Sequence, residues 1–308
     1  MSAEGGDQGS EIMDAVPVSV IIPAWRRVDI LRKTLGVIGR CDPPPAEILV
    51  HVDGGEQEVL RLLEAEFPAV KVLRSEQVLG PGGSRNRLIA AARHELVANF
   101  DDDSYPRHSD YFARVMDTAA RFPEAAMISA ASMESEWRRP EYLNLAVSSG
   151  CGCVFRKSWF AKTTGFVPLP IAYAMEEVDV SLQLHALGGK IVHDPFLRVL
   201  HDRVLPDVVD ATTNAVVLAN TALLPYLRYP EWLWLAGACQ VLRRVVFLLC
   251  HGWTSGLLEG LRMIPDHLAR YKQHRKNVTS PALLRWLLLK QRATSLGAAL
   301  PLPTSTFL

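Results

Sequence analysis

The first hundred residues alternate between segments typical of buried strands and segments typical of helices. The run 18–25, VSVIIPAW, is rich in β-branched apolar residues, and 27–40 has the apolar spacing of a helix. The alternation continues through a strand at 47–55, a helix at 56–66 and a strand at 70–75. Because consecutive parallel strands need a crossover that is usually helical, this order predicts an α/β domain with a mainly parallel central sheet.

A fourth predicted strand, LVANF at 96–100, leads directly into three consecutive carboxylates. In parallel sheets, ligands bind at the carboxyl ends of the strands, which is where these acids fall. Asp101 and Asp103 are expected to project to one side of an extended segment, and Asp102 to the other. Carboxylates at this spacing suit Mg²⁺ or Mn²⁺, although a D-x-D string by itself is equally typical of a solvated turn.

Beyond about residue 107 the alternation loosens and then becomes mostly helical. Further elements are expected as a helix at 109–121, a strand at 125–132, a helix that begins near 176 and a strand that begins near 190. From about 208 onward nearly all of the pattern is helical. The sequence therefore predicts a disordered lead at 1–16, an α/β domain at 17–205 and a helical region at 206–308.

Composition excludes several classes of function. The chain has 308 residues, and its 33 basic and 33 acidic residues cancel, which argues against nucleic acid as a partner. Its five cysteines contain no C-x-x-C pair, which argues against a zinc knuckle and a disulfide framework. The first residues lack a basic and an apolar segment, so no signal peptide is predicted and a cytoplasmic location is favoured.

No stretch has the roughly 18 to 20 uncharged apolar residues that a membrane-spanning helix needs. The nearest are 211–227, which contains polar residues, and 232–258, which Arg243 and Arg244 interrupt. The Trp-, Leu- and Arg-rich helices of this region are expected to face the core. Attachment to the membrane surface, at the inner face for a cytoplasmic protein, is the alternative.

A second carboxylate at the same sheet edge, Asp53, is followed by two glycines that would let a ligand approach the backbone closely. Such a carboxylate can accept the N–H of a pyrimidine ring, although an Asp before Gly is also typical of a turn. The Gly-rich segment 80–86 is expected to be a loop whose amides, with Arg85, suit an anionic or nucleotide ligand. It matches neither the Rossmann nor the Walker pattern.

Six motifs in order, over about residues 17–203, resemble those of the family 2 glycosyltransferases, which have the GT-A fold and use nucleotide-sugar donors. They are VSVIIPAWRR, EILVHVDGG, GPGGSRNRLIAAA, NFDDDSYP, GCGCVFRKSWFAKTTGFVP and MEEVDVSLQLHALG. The C-terminal helices resemble more loosely the tails of bacterial members that act on surface polysaccharides or secondary metabolites. The resemblance implies a Rossmann-like sheet flanked by helices, a divalent metal, and transfer to a carbohydrate, lipid-linked or small-molecule acceptor.

The resemblance also implies roles for individual residues. On the donor side, Asp53 would hold the base with backbone help from Pro23 and Ala24, and UDP or dTDP donors would be favoured over GDP. The remaining assignments are Arg85 and Asp102 at the nucleotide sugar, Asp101 at the ribose, and Asp103 and His201 on the metal. Glu177 would be the catalytic base, with Glu176 and Asp179 as substitutes. A single base implies direct displacement with inversion at the anomeric carbon.

Two other functions remain open from the residues alone. A sugar nucleotidyltransferase also places two acids on a metal, but it typically has a Gly-rich loop directly after its first strand, where IIPAWRR has no glycine. A nucleotide-sugar-binding domain without activity would not need the acids at 101–103 and 176–179.

Overall fold

The computed structural model describes residues 14–132, 140–173, 175–202, 210–300, 302 and 308. All but the last three residues of the predicted disordered lead lie outside the described residues. The predicted domain boundary near 205 also lies outside them.

Ten strands and ten α-helices can be traced in the described ranges. The strands are β1 (Val16–Ala24), β2 (Pro45–Val52), β3 (Lys71–Arg74), β4 (Leu96–Asn99), β5 (Ser104–Pro106), β6 (Ala125–Ser132), β7 (Glu141–Asn144), β8 (Cys153–Arg156), β9 (Lys190–His201) and β10 (Thr294–Ala298). The helices are α1 (Val28–Ile38), α2 (Gln57–Glu66), α3 (Gly80–Ala91), α4 (Tyr111–Arg121), α5 (Lys157–Phe160), α6 (Glu176–Ala186), α7 (Ala211–Arg228), α8 (Trp234–Cys250), α9 (Leu257–Tyr271) and α10 (Ser280–Gln291).

All ten strands join one sheet, in which nine follow the order β10-β7-β9-β6-β8-β4-β1-β2-β3 and β5 pairs with β9. The strands β1 to β4 are parallel to one another, and β6 is parallel to β9. β8 is antiparallel to both β4 and β6 and joins the two halves. The predicted α/β architecture is confirmed.

Helices cover both faces of the sheet, which explains the continuous apolar run in β1. Val20 and Ile22 pack into a core with α1, α2 and α4 on one face. Ile21 packs into a second core with α3 and α6 on the other. A strand buried on both faces reads as unbroken hydrophobic sequence rather than as alternation.

The C-terminal helices form a third apolar layer against the sheet domain. Leu223 and Leu227 of α7 share a buried cluster with Met175 and with Trp286 of α10. The indole of Trp286 donates a hydrogen bond to the carbonyl of Ala146 at 2.8 Å. The helical region is therefore packed on the sheet domain over a broad contact.

The expectation of a mostly helical C-terminal region is confirmed, with one exception near its end. Thr294–Ala298 forms β10, which pairs antiparallel with β7 at the edge of the sheet. β5, β7 and β8 had not been predicted, since strands of three or four residues outside the regular alternation show no reliable period. β5 and β7 form because β9 offers free backbone groups, and β8 forms because it pairs with both β4 and β6.

One stretch of the described chain, Glu231–Cys250, is long and apolar enough to cross a membrane by length and composition. It has a mean hydropathy of 1.6 over its best window, of which only 11% is buried. No membrane-spanning stretch was predicted from the sequence, because that prediction required an uncharged segment. This stretch contains Arg243 and Arg244.

Candidate active site

The carboxyl ends of the strands bring the predicted acids to one edge of the sheet. Asp53 follows β2, the acids 101–103 follow β4, and His201 is the last residue of β9. Arg27 lies in the short segment between β1 and α1. β4, β1 and β2 lie side by side in the sheet, and β5, which follows the acids, pairs with β9 so that Ser104 is opposite His201. These pairings explain why residues distant in sequence meet here.

Arg27 binds two of the three consecutive acids. Its Nε donates to Asp102 Oδ2 at 3.1 Å, and its Nη1 donates to Asp103 Oδ2 at 2.6 Å. The backbone carbonyl of Asp102 accepts a hydrogen bond from the Thr34 hydroxyl at 2.7 Å. Burial raises the pKa of Asp102 to about 6 despite the charge of Arg27. Arg27 was not predicted as a site residue, and the only signal for it was the Arg pair after the first strand.

Asp103 faces His201 with its other oxygen. His201 Nε2 lies 3.0 Å from Asp103 Oδ1. Burial opposes ionisation of Asp103, but the hydrogen bond from His201 and the charge of Arg27 outweigh it and lower its pKa. The bond to Asp103, and then the contact with Cys151, raise the pKa of His201 to about 10.

Asp101, Asp103 and His201 form a group that could hold a metal ion. One ligand atom from each lies within 4.8 Å of the others. Two carboxylate oxygens and one imidazole nitrogen suit a divalent cation such as Mn²⁺ or Mg²⁺. The predicted ligands Asp103 and His201 therefore meet as expected. Asp101, which was assigned to the ribose, joins them.

Arg85 links this group to the start of α6. Its Nε donates to Asn99 Oδ1 at 3.0 Å, its Nη1 donates to Glu176 Oε1 at 2.6 Å, and its Nη2 donates to Asp101. Burial alone would lower the pKa of this guanidinium, but the charges of Glu176 and Asp101 raise it above its ordinary value. All three nitrogens are used by protein groups, so Arg85 acts first as a bridge between two acidic clusters.

Glu177 lines a small cavity beside Arg85. Burial, followed by the charge of Glu176, raises the pKa of Glu177 to about 7. Its carboxylate lies against the backbone of Gly150, where an added Cβ would be 2.1 Å from Glu177 Oε1. Ser148, Ser149 and Gly150 line the same cavity. A partly buried carboxyl group with a pKa near neutrality can accept a proton from a hydroxyl group.

Asp179 is not a substitute for Glu177, contrary to expectation. Its side chain is 1% exposed, and both of its oxygens accept hydrogen bonds from Arg228. Two residues along a helix rotate the side chain by about 200°, so Asp179 points away from the site that Glu177 borders. Asp179 anchors α7, and among the three predicted acids only Glu176 and Glu177 border the site.

Asp53 holds the start of α3. Its carboxylate accepts hydrogen bonds from the Ser75 hydroxyl at 2.9 Å and from the backbone N–H groups of Leu79 and Gly80 at 2.9 Å. The segment 80–86, predicted as a Gly-rich loop, is therefore helical throughout as the first turns of α3, because a carboxylate stabilises a helix N-terminus. Gly80 has a φ of +72°, and a Cβ there would lie 2.1 Å from the carbonyl oxygen of Leu169.

The base-binding role of Asp53, Pro23 and Ala24 stays a prediction. Pro23 and Ala24 end β1, next to β2, whose carboxyl end leads to Asp53. Trp25 follows them and is 47% exposed beside Gly54, on the same edge. An exposed indole at this place offers a stacking surface that had not been assigned.

An α/β sheet with acidic strand ends, a metal-capable group and a neighbouring glutamate pair defines the GT-A class of glycosyltransferase folds. Solved structures of this class match the whole architecture. The mannosyltransferase PcManGT from Pyrobaculum calidifontis, in complex with GDP-Man and Mn²⁺, matches with a TM-score of 0.55 and 15% identity over 94% of this chain and 89% of its own. S. aureus TarS 1–349, in complex with UDP-GlcNAc, matches with a TM-score of 0.58 and 17% identity over 89% and 88%.

Residues 16–163 match the family described as "Glycosyltransferase like family 2". A curated relative, the uncharacterized glycosyltransferase YwdF of Bacillus subtilis (strain 168), is 30% identical over 105 residues. That alignment covers 33% of this chain and 39% of the relative. The chain thus spans about two fifths of the length of this relative.

Proposed function

We propose that this protein transfers a sugar from a nucleotide-diphosphate donor to an acceptor hydroxyl group. The observation that carries the proposal is the bridge made by Arg85, which binds Asp101 of the metal-capable group and Glu176 beside Glu177. A donor diphosphate at the first cluster would place its sugar toward the second. The matched structures support this proposal with their bound nucleotide sugars, GDP-Man in one case and UDP-GlcNAc in the other.

In this proposal Glu177 takes the proton of the acceptor hydroxyl group. The acceptor oxygen then forms a bond to the anomeric carbon, while the bond from that carbon to the diphosphate oxygen breaks. A single carboxylate on the face opposite the leaving group implies inversion of configuration. Glu177 suits the role because its pKa of about 7 leaves a useful fraction ionised near neutral pH.

The residues at the other cluster would hold the departing group. Asp101, Asp103 and His201 fit Mg²⁺ or Mn²⁺ by donor type and spacing, and the bound Mn²⁺ of the matched mannosyltransferase supports that choice. When bound, a divalent cation there would supply positive charge against the diphosphate. Arg27 keeps Asp103 oriented so that its second oxygen faces His201.

The donor base and the acceptor are proposed only by class. A pyrimidine donor, UDP or dTDP, follows from Asp53, and the acceptor would be a carbohydrate, a lipid-linked group or a small molecule. Nucleic acid is not proposed as a partner, because the chain has no net charge. All five cysteines are free, which supports a reducing compartment such as the cytoplasm.

A panel of nucleotide sugars with Mn²⁺ or Mg²⁺ tests the proposal. Thermal stabilisation by one donor, with release of its nucleoside diphosphate when an acceptor is present, is the expected result. Stabilisation by nucleoside triphosphates alone would instead favour a sugar nucleotidyltransferase. Stabilisation by a donor without release under any acceptor would indicate a binding domain without activity.

A further inference from the structure

An exposed apolar stripe runs along one side of α8. The stripe consists of residues spaced three or four apart that all face solvent: Leu235, Ala238, Cys239, Leu242, Val246, Leu249 and Cys250. Leu235 is 76% exposed and Leu242 is 62% exposed. At 1.5 Å per residue, the α8 stripe is about 25 Å long. A continuous apolar face of this length on a solvent-exposed helix marks a contact surface.

Tryptophans lie at both ends of the α8 stripe. Trp232 is 67% exposed just before α8, Trp234 is 40% exposed at its first residue, and Trp253 is 39% exposed just after its last turn. Indole rings are enriched where apolar and aqueous phases meet, because the ring is apolar and its N–H needs a polar partner. Their placement at the two ends suits a helix that lies along such an interface.

The C-terminal region that contains α8 is net positive, although the whole chain is neutral. Residues 229–308 contain ten Lys and Arg but only three Asp and Glu. Of those ten cations, Arg275 alone is ion-paired within the described part of the chain, with Glu231 at 3.2 Å. Arg243 is exposed at the flank of the stripe. Uncompensated positive charge beside an apolar surface is complementary to anionic lipid headgroups.

We propose that the α8 stripe docks on the surface of a membrane that contains anionic lipids, with α8 in the plane of the interface. The opposite side of α8 packs closely on α7, where a Cβ on Gly237 would lie 2.4 Å from Pro225 Cβ. Arg244 also lies on that opposite half of the helix, about 180° from Leu235. A helix that is apolar on one side and packed on the other suits an interfacial position rather than a span.

Docking would fix the orientation of the candidate active site. α8 packs on α7, and Arg228 of α7 binds Asp179 of α6, two residues after Glu177. Asn220 of α7 also donates to the carbonyls of Ile171 and Tyr173, in the segment before α6. The docking proposal rests on α8 and the residues around it, and it does not depend on the proposed transfer reaction.

Co-sedimentation of the full chain with vesicles, without nucleotide or metal, tests the proposal. One set of vesicles contains phosphatidylcholine only, and the other contains phosphatidylcholine with phosphatidylglycerol. We expect the protein to pellet with the anionic vesicles only. Leu242→Glu should abolish binding, and Arg243→Gln should weaken it about five-fold, the effect of one basic residue near an anionic surface. The matched control is Val72→Glu on β3, which lies at the edge of the sheet opposite β10. This variant should pellet with the anionic vesicles like the parent.

Several results would overturn the proposal. The proposal would be refuted if Leu242→Glu pelleted with anionic vesicles to the same extent as the parent protein. It would also be refuted if the parent bound neutral vesicles equally well, or if it stayed on the vesicles after an alkaline wash. Absence of vesicle binding, with a dimer that Leu242→Glu converts to a monomer, would assign the stripe to a second copy of the chain. Circular dichroism and thermal unfolding check that each variant is folded, without any use of the transfer reaction, so a failed docking test and a failed transferase proposal remain distinguishable.

Discussion

Arg228 and Asp179 form an ion pair that is closed to solvent, with Arg228 Nη2 2.9 Å from Asp179 Oδ2 and side-chain exposures of 0% and 1%. The pair joins α7 to α6 and therefore couples the C-terminal layer to the helix that carries Glu177. Arg228 also donates to the carbonyl of His274 at 2.8 Å. One guanidinium thus holds three parts of the chain together.

Removal of one partner of this pair should be strongly destabilising. Arg228→Met leaves the charge of Asp179 buried and unpaired, and we expect a loss of about 3–5 kcal/mol in the free energy of unfolding. The double variant Arg228→Met, Asp179→Leu should recover most of that loss, since both charges are gone. Denaturant unfolding measures both, with exposed Arg270→Ala as a control that should change stability by less than about 0.5 kcal/mol. A single variant as stable as the parent would contradict the assignment.

Gly150→Ala should impair turnover more than stability. The added Cβ would lie 2.1 Å from Glu177 Oε1, so this carboxylate must move. A displacement of about 1 Å at a catalytic group can cost about 100-fold in rate. Gly36→Ala in α1 is the control, because the nearest atom to its added Cβ, Arg40 Nη1, would be 3.8 Å away. Measurement of sugar transfer and of the melting temperature separates the two effects, and unchanged transfer in Gly150→Ala would remove Glu177 from the mechanism.

The raised pKa of Glu177 predicts a pH-dependent effect of Glu177→Gln on stability. Between about pH 4.5 and about pH 7, the folded state keeps the proton on the Glu177 carboxyl group, whereas the unfolded chain releases it. The favourable contribution of this group is therefore fully present below about pH 4.5 and is lost as the pH rises through about 7. Glutamine cannot ionise, so at about pH 8 the variant should have a higher melting temperature than the parent. The expected increase is about 2–4 °C for each kcal/mol gained in the free energy of unfolding. At about pH 5 the increase should be smaller.

The same variant should lose transfer activity at every pH while it still binds donor. In the parent, turnover should rise with pH through about 7, as the base becomes ionised. Glu58→Gln, on the exposed side of α2, is the control and should keep the parent profile. Full activity of Glu177→Gln would assign the base to Glu176.

Asp103→Asn should weaken the binding of Mn²⁺. It removes a charged ligand from the group of Asp101, Asp103 and His201, and an effect of at least about ten-fold is expected, since even changes outside the ligand shell cost that much. Calorimetric titration with Mn²⁺ measures the affinity directly. Asp29→Asn, at a side chain that is 93% exposed, should bind Mn²⁺ like the parent. Equal affinities in both variants would place the metal elsewhere.

Much of the fold followed from patterns that operate over a few residues. The alternation of β-branched runs with amphipathic segments predicted the strands from β1 to β4 and their helices, because periodicity depends on near neighbours alone. It also put Asp53 and Asp103 at one sheet edge, since parallel strands end on the same side. β10 could not be predicted in this way, because five residues of weak pattern become a strand only where β7 leaves an edge open.

Local patterns in the sequence were enough to predict the sheet, the end of the sheet at which its acids gather, and a resemblance to the family 2 glycosyltransferases over about residues 17–203. The partner of each charged group depends on the tertiary structure instead. Arg27 meets Asp102 across 75 residues, and Arg85 meets Glu176 across 91. Asp179 belongs to the packing of α7 for the same reason: the direction of a side chain and the charge that it meets are set by how distant elements pack, which no local spacing records.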